Sequence, residues 1–126
     1  MTDIRVTVSG PFFRLGARPF LDAVHNAVRA LTEEGEAKVK DQLYPGHGLI
    51  TGHYRRSVVG ELTDSLHGRI HDSNVVYGPW LEGVSRRNET TRFKGYHMFR
   101  RAGEQLQRTA RETLQRFVRA AVGRVT

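Results

Sequence analysis

Asn74 to Leu106 reads NVVYGPWLEGVSRRNETTRFKGYHMFRRAGEQL, and its three parts decide how the chain folds. Val75 to Tyr77 is a short apolar run of strand character. Ser85 to Lys94 is polar and without periodicity, and from Tyr96 onward a helical spacing begins. Tyr77, Trp80 and Phe93 share eighteen positions with Arg86, Arg87, Arg92 and Lys94, the mixture of aromatic and basic side chains with which surfaces meet another macromolecule. An aperiodic basic segment between two ordered elements is expected to order only when a partner binds.

Downstream, Phe99, Ala102, Leu106, Ala110, Thr113, Phe117 and Ala121 recur at steps of three and four, with Leu114, Val118 and Val122 widening the stripe. Arg101, Glu104, Arg108, Arg111, Gln115 and Arg119 take the opposite face, so the expected helix is apolar in front and basic behind. Upstream, Leu66, Gly68 and Ile70 alternate with His67, Arg69 and His71. With a strand over 57–62 they predict a hairpin that turns at Thr63-Asp64-Ser65 and keeps one face wet. Asp72-Ser73-Asn74 turns again into Val75 to Tyr77, and Thr51-Gly52 reads as an earlier turn. Trp80 to Val84 is long enough for one helical turn.

A first helix is expected from near Pro19, with Asp22 favourably placed for its dipole and with Phe20, Val24, Val28, Leu31, Gly35, Val39 and Leu43 on one face. Tyr44 to Gly48 stops it. In front of it, Ile4, Val6 and Val8 alternate with Asp3, Arg5 and Thr7 as in a half-buried strand that ends at Gly10-Pro11, and Phe12, Phe13 and Leu15 form a connector suited to the core. The expectation is an α+β fold: a small antiparallel sheet of about four strands packed against a long N-terminal and a long C-terminal helix. It makes one domain over 1–126, with an exposed basic loop at 85–95.

A length of 126 residues suits a single domain with its own core. The chain has no cysteine, which excludes disulfides, a thiolate nucleophile and a zinc–thiolate centre. No apolar run reaches the length of a membrane span or a signal-peptide core, so the expectation is a soluble protein made in the cytoplasm, without membrane contact. The formal charge of +7 is uneven: residues 1–85 carry 9 Lys/Arg against 10 Asp/Glu, and residues 86–126 carry 11 against 3. Such a block attracts nucleic acid or an acidic protein surface, and charge by itself does not choose between them. Arginine supplies 17 of the 20 basic residues, which suits interfaces and equally follows from a GC-rich genome.

Six histidines invite a metal, but His67 and His71 on one strand face supply only two ligands, and HExxH is missing. There is no nucleophile elbow, Walker loop or dinucleotide fingerprint, so no catalytic, cofactor or metal residue is nominated and the chain is read as a non-enzyme. Asn88-Glu89-Thr90 matches the glycosylation triplet but lacks a secretory context. Glu82, the single acid among basic and aromatic neighbours, reads either as an ion-pair partner of Arg86, Arg87 or a neighbouring subunit's arginine, or as an ordinary exposed acid. Trp80 reads either as core beneath the second long helix or as an interface anchor.

At Tyr77-Gly78-Pro79-Trp80-Leu81-Glu82 the chain resembles the tail-completion and head–tail joining (neck, minor tail) proteins of long-tailed bacteriophages. The order of an N-terminal strand and helix, the segment Thr51-Gly52-His53-Tyr54-Arg55-Arg56-Ser57, the aromatic–aliphatic–Glu motif and a closing helix is similar to that family over almost the whole chain. The run Arg92 to Arg101, RFKGYHMFRR, looks like the form found in phages of actinobacteria. The resemblance implies a structural virion protein, made in the bacterial cytoplasm and built into the head–tail junction as a homo-oligomeric ring of sixfold symmetry. DNA passes through that ring. Its implied partners are other neck proteins, namely a head-completion or stopper protein and a tail terminator or tail tube.

The expected subunit and partner contacts are Tyr77, Trp80, Glu82, Arg86, Arg87, Arg92, Phe93, Lys94, Tyr96, Phe99, Arg100 and Arg101, with Arg108, Arg111 and Arg119 as DNA-facing residues. The rival reading is a small DNA-binding protein without sequence preference that uses the basic C-terminal third. Against it stand the absence of a helix-turn-helix or finger pattern and the apolar stripe, which requires that one face of the last helix be buried.

Overall fold

Alternation in the N-terminal strand passes directly into burial. In β1 (Asp3–Thr7), Val6 is buried while Arg5 and Thr7 are exposed. The computed structural model describes residues 2–8, 18–43 and 52–125. The connector Phe12-Phe13-Leu15, the strand end at Gly10-Pro11 and the helix stop at Tyr44 to Gly48 lie outside them. β1 pairs antiparallel with β3 (His67–His71), with Ile4 opposite Ile70 and Val6 opposite Gly68. β2 (Val59–Asp64) pairs along the other edge of β3, so the order is β1-β3-β2.

Two long helices, α1 (Arg18–Gln42) and α5 (Met98–Val125), pack against each other and cover the inner face of this sheet. α1 reaches all three strands and α5 reaches β1. Val24, Val28, Leu31 and Val39 of α1, Leu43 just past its end, and Met98, Phe99, Ala102 and Leu106 of α5 close over Val6 and Ile70 as one core. On the helices these are the apolar positions that spacing nominates, except Met98, which opens α5 fully buried outside the expected stripe. α1 sits hard on the strands because the inner face offers glycine: a Cβ on Gly68 would overlap the Thr32 hydroxyl, and one on Gly60 would lie 3.0 Å from the Thr32 carbonyl. Thr32 is buried and donates its hydroxyl to the Val28 carbonyl at 2.7 Å, so no polar group is stranded there.

The outer face of the sheet is polar. Arg69 Nε donates to Asp3 Oδ2 at 2.9 Å, His71 Nε2 lies 2.9 Å from Glu61 Oε1, and His67 Nδ1 lies 2.7 Å from Asp64 Oδ1. The His67 bond holds the exposed Asp64 carboxyl below its ordinary range, helped by the Leu66 N–H. His67 and His71 are therefore partnered by carboxylates. Among the described residues no group of three metal-binding side chains assembles, and no helix is long and apolar enough to cross a membrane.

The class is α+β, as expected, but the sheet has three strands among the described residues, not about four. Val75 to Tyr77 is a turn. Ser73 and Asn74 adopt left-handed φ of 60° and 58°, Asp72 Oδ1 accepts from Asn74 N at 3.1 Å, and Gly78 N donates to the Val75 carbonyl at 2.9 Å. The chain thus curls back before it can run beside a neighbour, and Val76 is 95% exposed. Where a turn was expected, Gly52 opens α2 (Gly52–Ser57), whose buried anchor is Tyr54: it is fully buried and donates to Asp72 Oδ2 at 2.9 Å. The second strand runs Val59–Asp64, two residues later than read, and the hairpin reverses at Ser65-Leu66.

Candidate interaction site

Each residue of Tyr77-Gly78-Pro79-Trp80-Leu81-Glu82 has a structural task. Tyr77 lays its ring 5.7 Å from that of Tyr54. Gly78 leaves room for the Asp72 carboxylate, which a Cβ would overlap. Pro79 sits in the first turn of α3 (Gly78–Glu82), where no N–H is missed, and Leu81 enters the core.

Glu82 is buried and turns toward α5, where Oε1 accepts from Phe99 N at 2.8 Å and Oε2 from Arg100 N at 3.1 Å. It therefore caps the second long helix from outside that helix. Burial raises its pKa, opposed by those two N–H groups and then by His97 and Arg100. The expectation that Glu82 pairs with Arg86, Arg87 or a neighbour's arginine is thereby corrected, because both oxygens are engaged inside the fold. Phe99, also expected at a contact surface, is core.

After α3 the chain leaves the core and returns within about a dozen residues, and glycine permits the crossing at its base. Gly83 and Gly95 have φ of 100° and 98°, and their backbones touch so closely that a Cβ on either would overlap the other strand of the neck. Tyr96 N donates to the Leu81 carbonyl at 2.7 Å beside them.

The expected aperiodic loop 85–95 contains α4 (Arg86–Thr90), started by Ser85, whose hydroxyl accepts from Arg87 N at 3.3 Å. Asn88 is the centre of this excursion. It is 3% exposed, its Oδ1 accepts from Ser85 N at 2.9 Å, and its Nδ2 donates to the carbonyls of Trp80 and Phe93, both at 3.1 Å. Lys94 Nζ donates to the Asn88 carbonyl at 2.7 Å. The segment expected to order only with a partner is thus already tied within the monomer. The reason is one buried amide that satisfies three backbone groups from three places.

Aromatic packing finishes the module. Trp80 and Phe93 have ring centroids 4.9 Å apart, Phe93 and Tyr96 meet edge-on at 5.0 Å, and the Arg87 guanidinium lies 5.4 Å over the Trp80 ring. Trp80 is half-buried under α4, so it serves neither wholly as core nor as a bare anchor. Arg86, Arg87 and Arg92 are exposed, and among the described residues none has a carboxylate within ion-pair distance.

Exposed large apolar side chains gather nearby. Val76 is 95% exposed, Val84 60% and Tyr77 42%, and Val59, also exposed, begins β2 next to the Ser73 Oγ to Ser57 carbonyl bond that ties on the 72–77 turn. Arg100, Arg101, Arg108, Arg111 and Arg119 are exposed on α5, away from its buried stripe. Sequence reading missed Asn88, Gly83 and Gly95. The only available signal for Asn88 was its position three residues after Ser85, at the start of a helix. Compared with protein-family models, curated proteins and solved structures, the chain gives no match.

Proposed function

We propose that this protein is a structural subunit of the neck of a tailed bacteriophage, a ring component that joins the DNA-filled head to the tail. The observation that carries the reading is the prebuilt loop at 84–94. It is fastened by Asn88 and by the glycine neck, yet it turns Arg86, Arg87, Arg92 and Val84 outward, and among the described residues none of the three arginines has a carboxylate within ion-pair distance. A rigid protrusion that combines guanidinium forks with apolar side chains loses little entropy on docking, and it suits a protein surface bearing carboxylates.

The resemblance at Tyr77 to Glu82 supplies the biological setting, since in this fold that motif positions the protrusion relative to the core. In a closed ring each subunit offers different surfaces to its two neighbours. The loop is one of these surfaces or the contact to the adjoining neck protein, and the subunits form a sixfold homo-oligomer. Tyr77, Trp80, Phe93, Lys94 and Tyr96 support the protrusion, and Arg86, Arg87 and Arg92 make the contact.

The test is the double substitution Arg86→Glu with Arg87→Glu, introduced into a phage that lacks the gene. Both positions are exposed, so circular dichroism of the purified variant is expected to match the parent, while heads and tails accumulate unjoined. Normal yields of infectious particles would refute this role for the loop.

A further inference from the structure

We propose that the solvent face of α5 is a docking strip for the phosphate backbone of double-stranded nucleic acid. α5 carries Arg100, Arg101, Arg108, Arg111, Arg116, Arg119 and Arg124 against Glu104 and Glu112, so seven less two leaves +5 of the chain's formal +7 on this one helix. Arg101 and Arg119 are five helical turns apart and share one direction, and Arg108 departs from it by only about 20°. The three make a straight row about 27 Å long, flanked by Arg111 and Arg116.

All five side chains are exposed, and the opposite side of the helix packs on α1 and β1. Among the described residues none of the five has a carboxylate within ion-pair distance. This holds although Glu104 precedes Arg108, and Glu112 precedes Arg116, by the four residues that favour pairing. The positive charge is therefore left for a partner.

The chemistry of the face selects the class of partner. A stable protein contact needs an apolar or aromatic centre, and among the described residues the exposed large apolar side chains, Val59, Val76, Tyr77 and Val84, lie off α5. Between the arginines stand Gln105, Glu112 and Gln115, with Glu104 at the edge, so the face is polar and charged throughout and stays positive in balance. Such a face can attract only by charge. A DNA duplex presents one negative charge per about 1.7 Å of axis, hence about sixteen along a strip of this length. Contacts of this kind touch phosphate and carry no base information, so binding is independent of sequence. The strip lies on a different element from the 84–94 protrusion, and either assignment can fail without the other.

The experiment titrates the full-length protein with two unrelated duplexes of equal length at several salt concentrations. The parent is compared with the triple variant Arg101→Gln, Arg108→Gln, Arg119→Gln and with the loop variant Arg86→Glu, Arg87→Glu. Glutamine keeps helix propensity close to that of arginine, and circular dichroism checks that each variant is folded. Losing three phosphate contacts at about 0.9 each is expected to make the slope of log affinity against log salt shallower by about 2.7 for both duplexes. The loop variant is expected to keep the parent slope. An unchanged slope in the triple variant, an equal loss in the loop variant, or a marked preference for one duplex would overturn the strip. So would binding of poly-glutamate much tighter than that of the duplex at equal charge and equal salt, which would point to an acidic protein instead. Joining of heads to tails, scored with the same triple variant, is expected to persist, which separates this proposal from the neck reading.

Discussion

Replacing Asn88 with alanine tests whether the basic protrusion is prebuilt. The substitution removes three hydrogen bonds, from Ser85 N at 2.9 Å and to the Trp80 and Phe93 carbonyls at 3.1 Å, in a place only 3% exposed. At about 1 kcal/mol net for each bond the loss is about 3 kcal/mol, and more if the orphaned groups stay dry. This loss falls first on the excursion itself, because its ends are held separately by the Gly83–Gly95 crossing and by the Tyr96 N to Leu81 carbonyl bond.

Hydrogen exchange reads the loss directly. The amides of Ser85 and Asn88 are expected to exchange on the order of a hundred times faster in Asn88→Ala, while those in the middle of α1 stay within about tenfold of the parent. Asn88→Asp separates geometry from volume. It keeps the acceptor for Ser85 N but sets an acceptor against two carbonyls, so it is expected to loosen the loop at least as much as alanine does. Exchange within about threefold of the parent in Asn88→Ala, or parent-like behaviour of Asn88→Asp, would refute the idea that this amide organises the loop.

Tyr54→Phe removes the buried bond from the phenol to Asp72 Oδ2 and is expected to lower unfolding free energy by about 2 kcal/mol, a hydrogen bond to a charged group, measured by chemical denaturation. Burial, and then the Asp72 carboxylate, push the Tyr54 phenol well above its ordinary 10.0. The folded protein thus keeps a proton that the unfolded chain releases, and this contribution to stability declines as pH rises above that value. Glu82 acts with the same sign at lower pH. Because burial raises its carboxyl above the ordinary 4.5, its contribution is greatest below 4.5 and falls as pH rises from there to the folded-state value. Subtracting the pH–stability curve of Glu82→Gln from that of the parent is expected to expose this fall, and a difference that rises with pH would contradict it.

The long elements were legible because their signals are periodic. Val24, Val28, Leu31 and Val39 on α1, and Phe99, Ala102 and Leu106 on α5, are buried where a spacing of three and four puts them, since one face of a helix must leave water whatever covers it. β1 and β3 followed likewise from period two. Short elements had no such signal. α2 depends on Tyr54 finding Asp72 eighteen positions away, and Val75 to Tyr77 has strand composition but follows two left-handed residues that turn the chain aside. Local preference over three residues is small beside one satisfied carboxylate or one forced turn.

The candidate site divides in the same way. Composition alone marked the 77–101 stretch and made Arg86, Arg87, Arg92 and the α5 arginines surface residues, because a guanidinium is rarely buried without a partner. Only the tertiary structure decided which neighbours in that stretch face inward. Glu82 and Phe99 turn in because the first turn of α5 needs an acceptor and the core needs a ring. Asn88 turns in because backbone groups of Ser85, Trp80 and Phe93, distant from one another along the chain, converge on one amide. A sequence states which groups must be satisfied, whereas the partner that satisfies them depends on which segments the packed helices bring together.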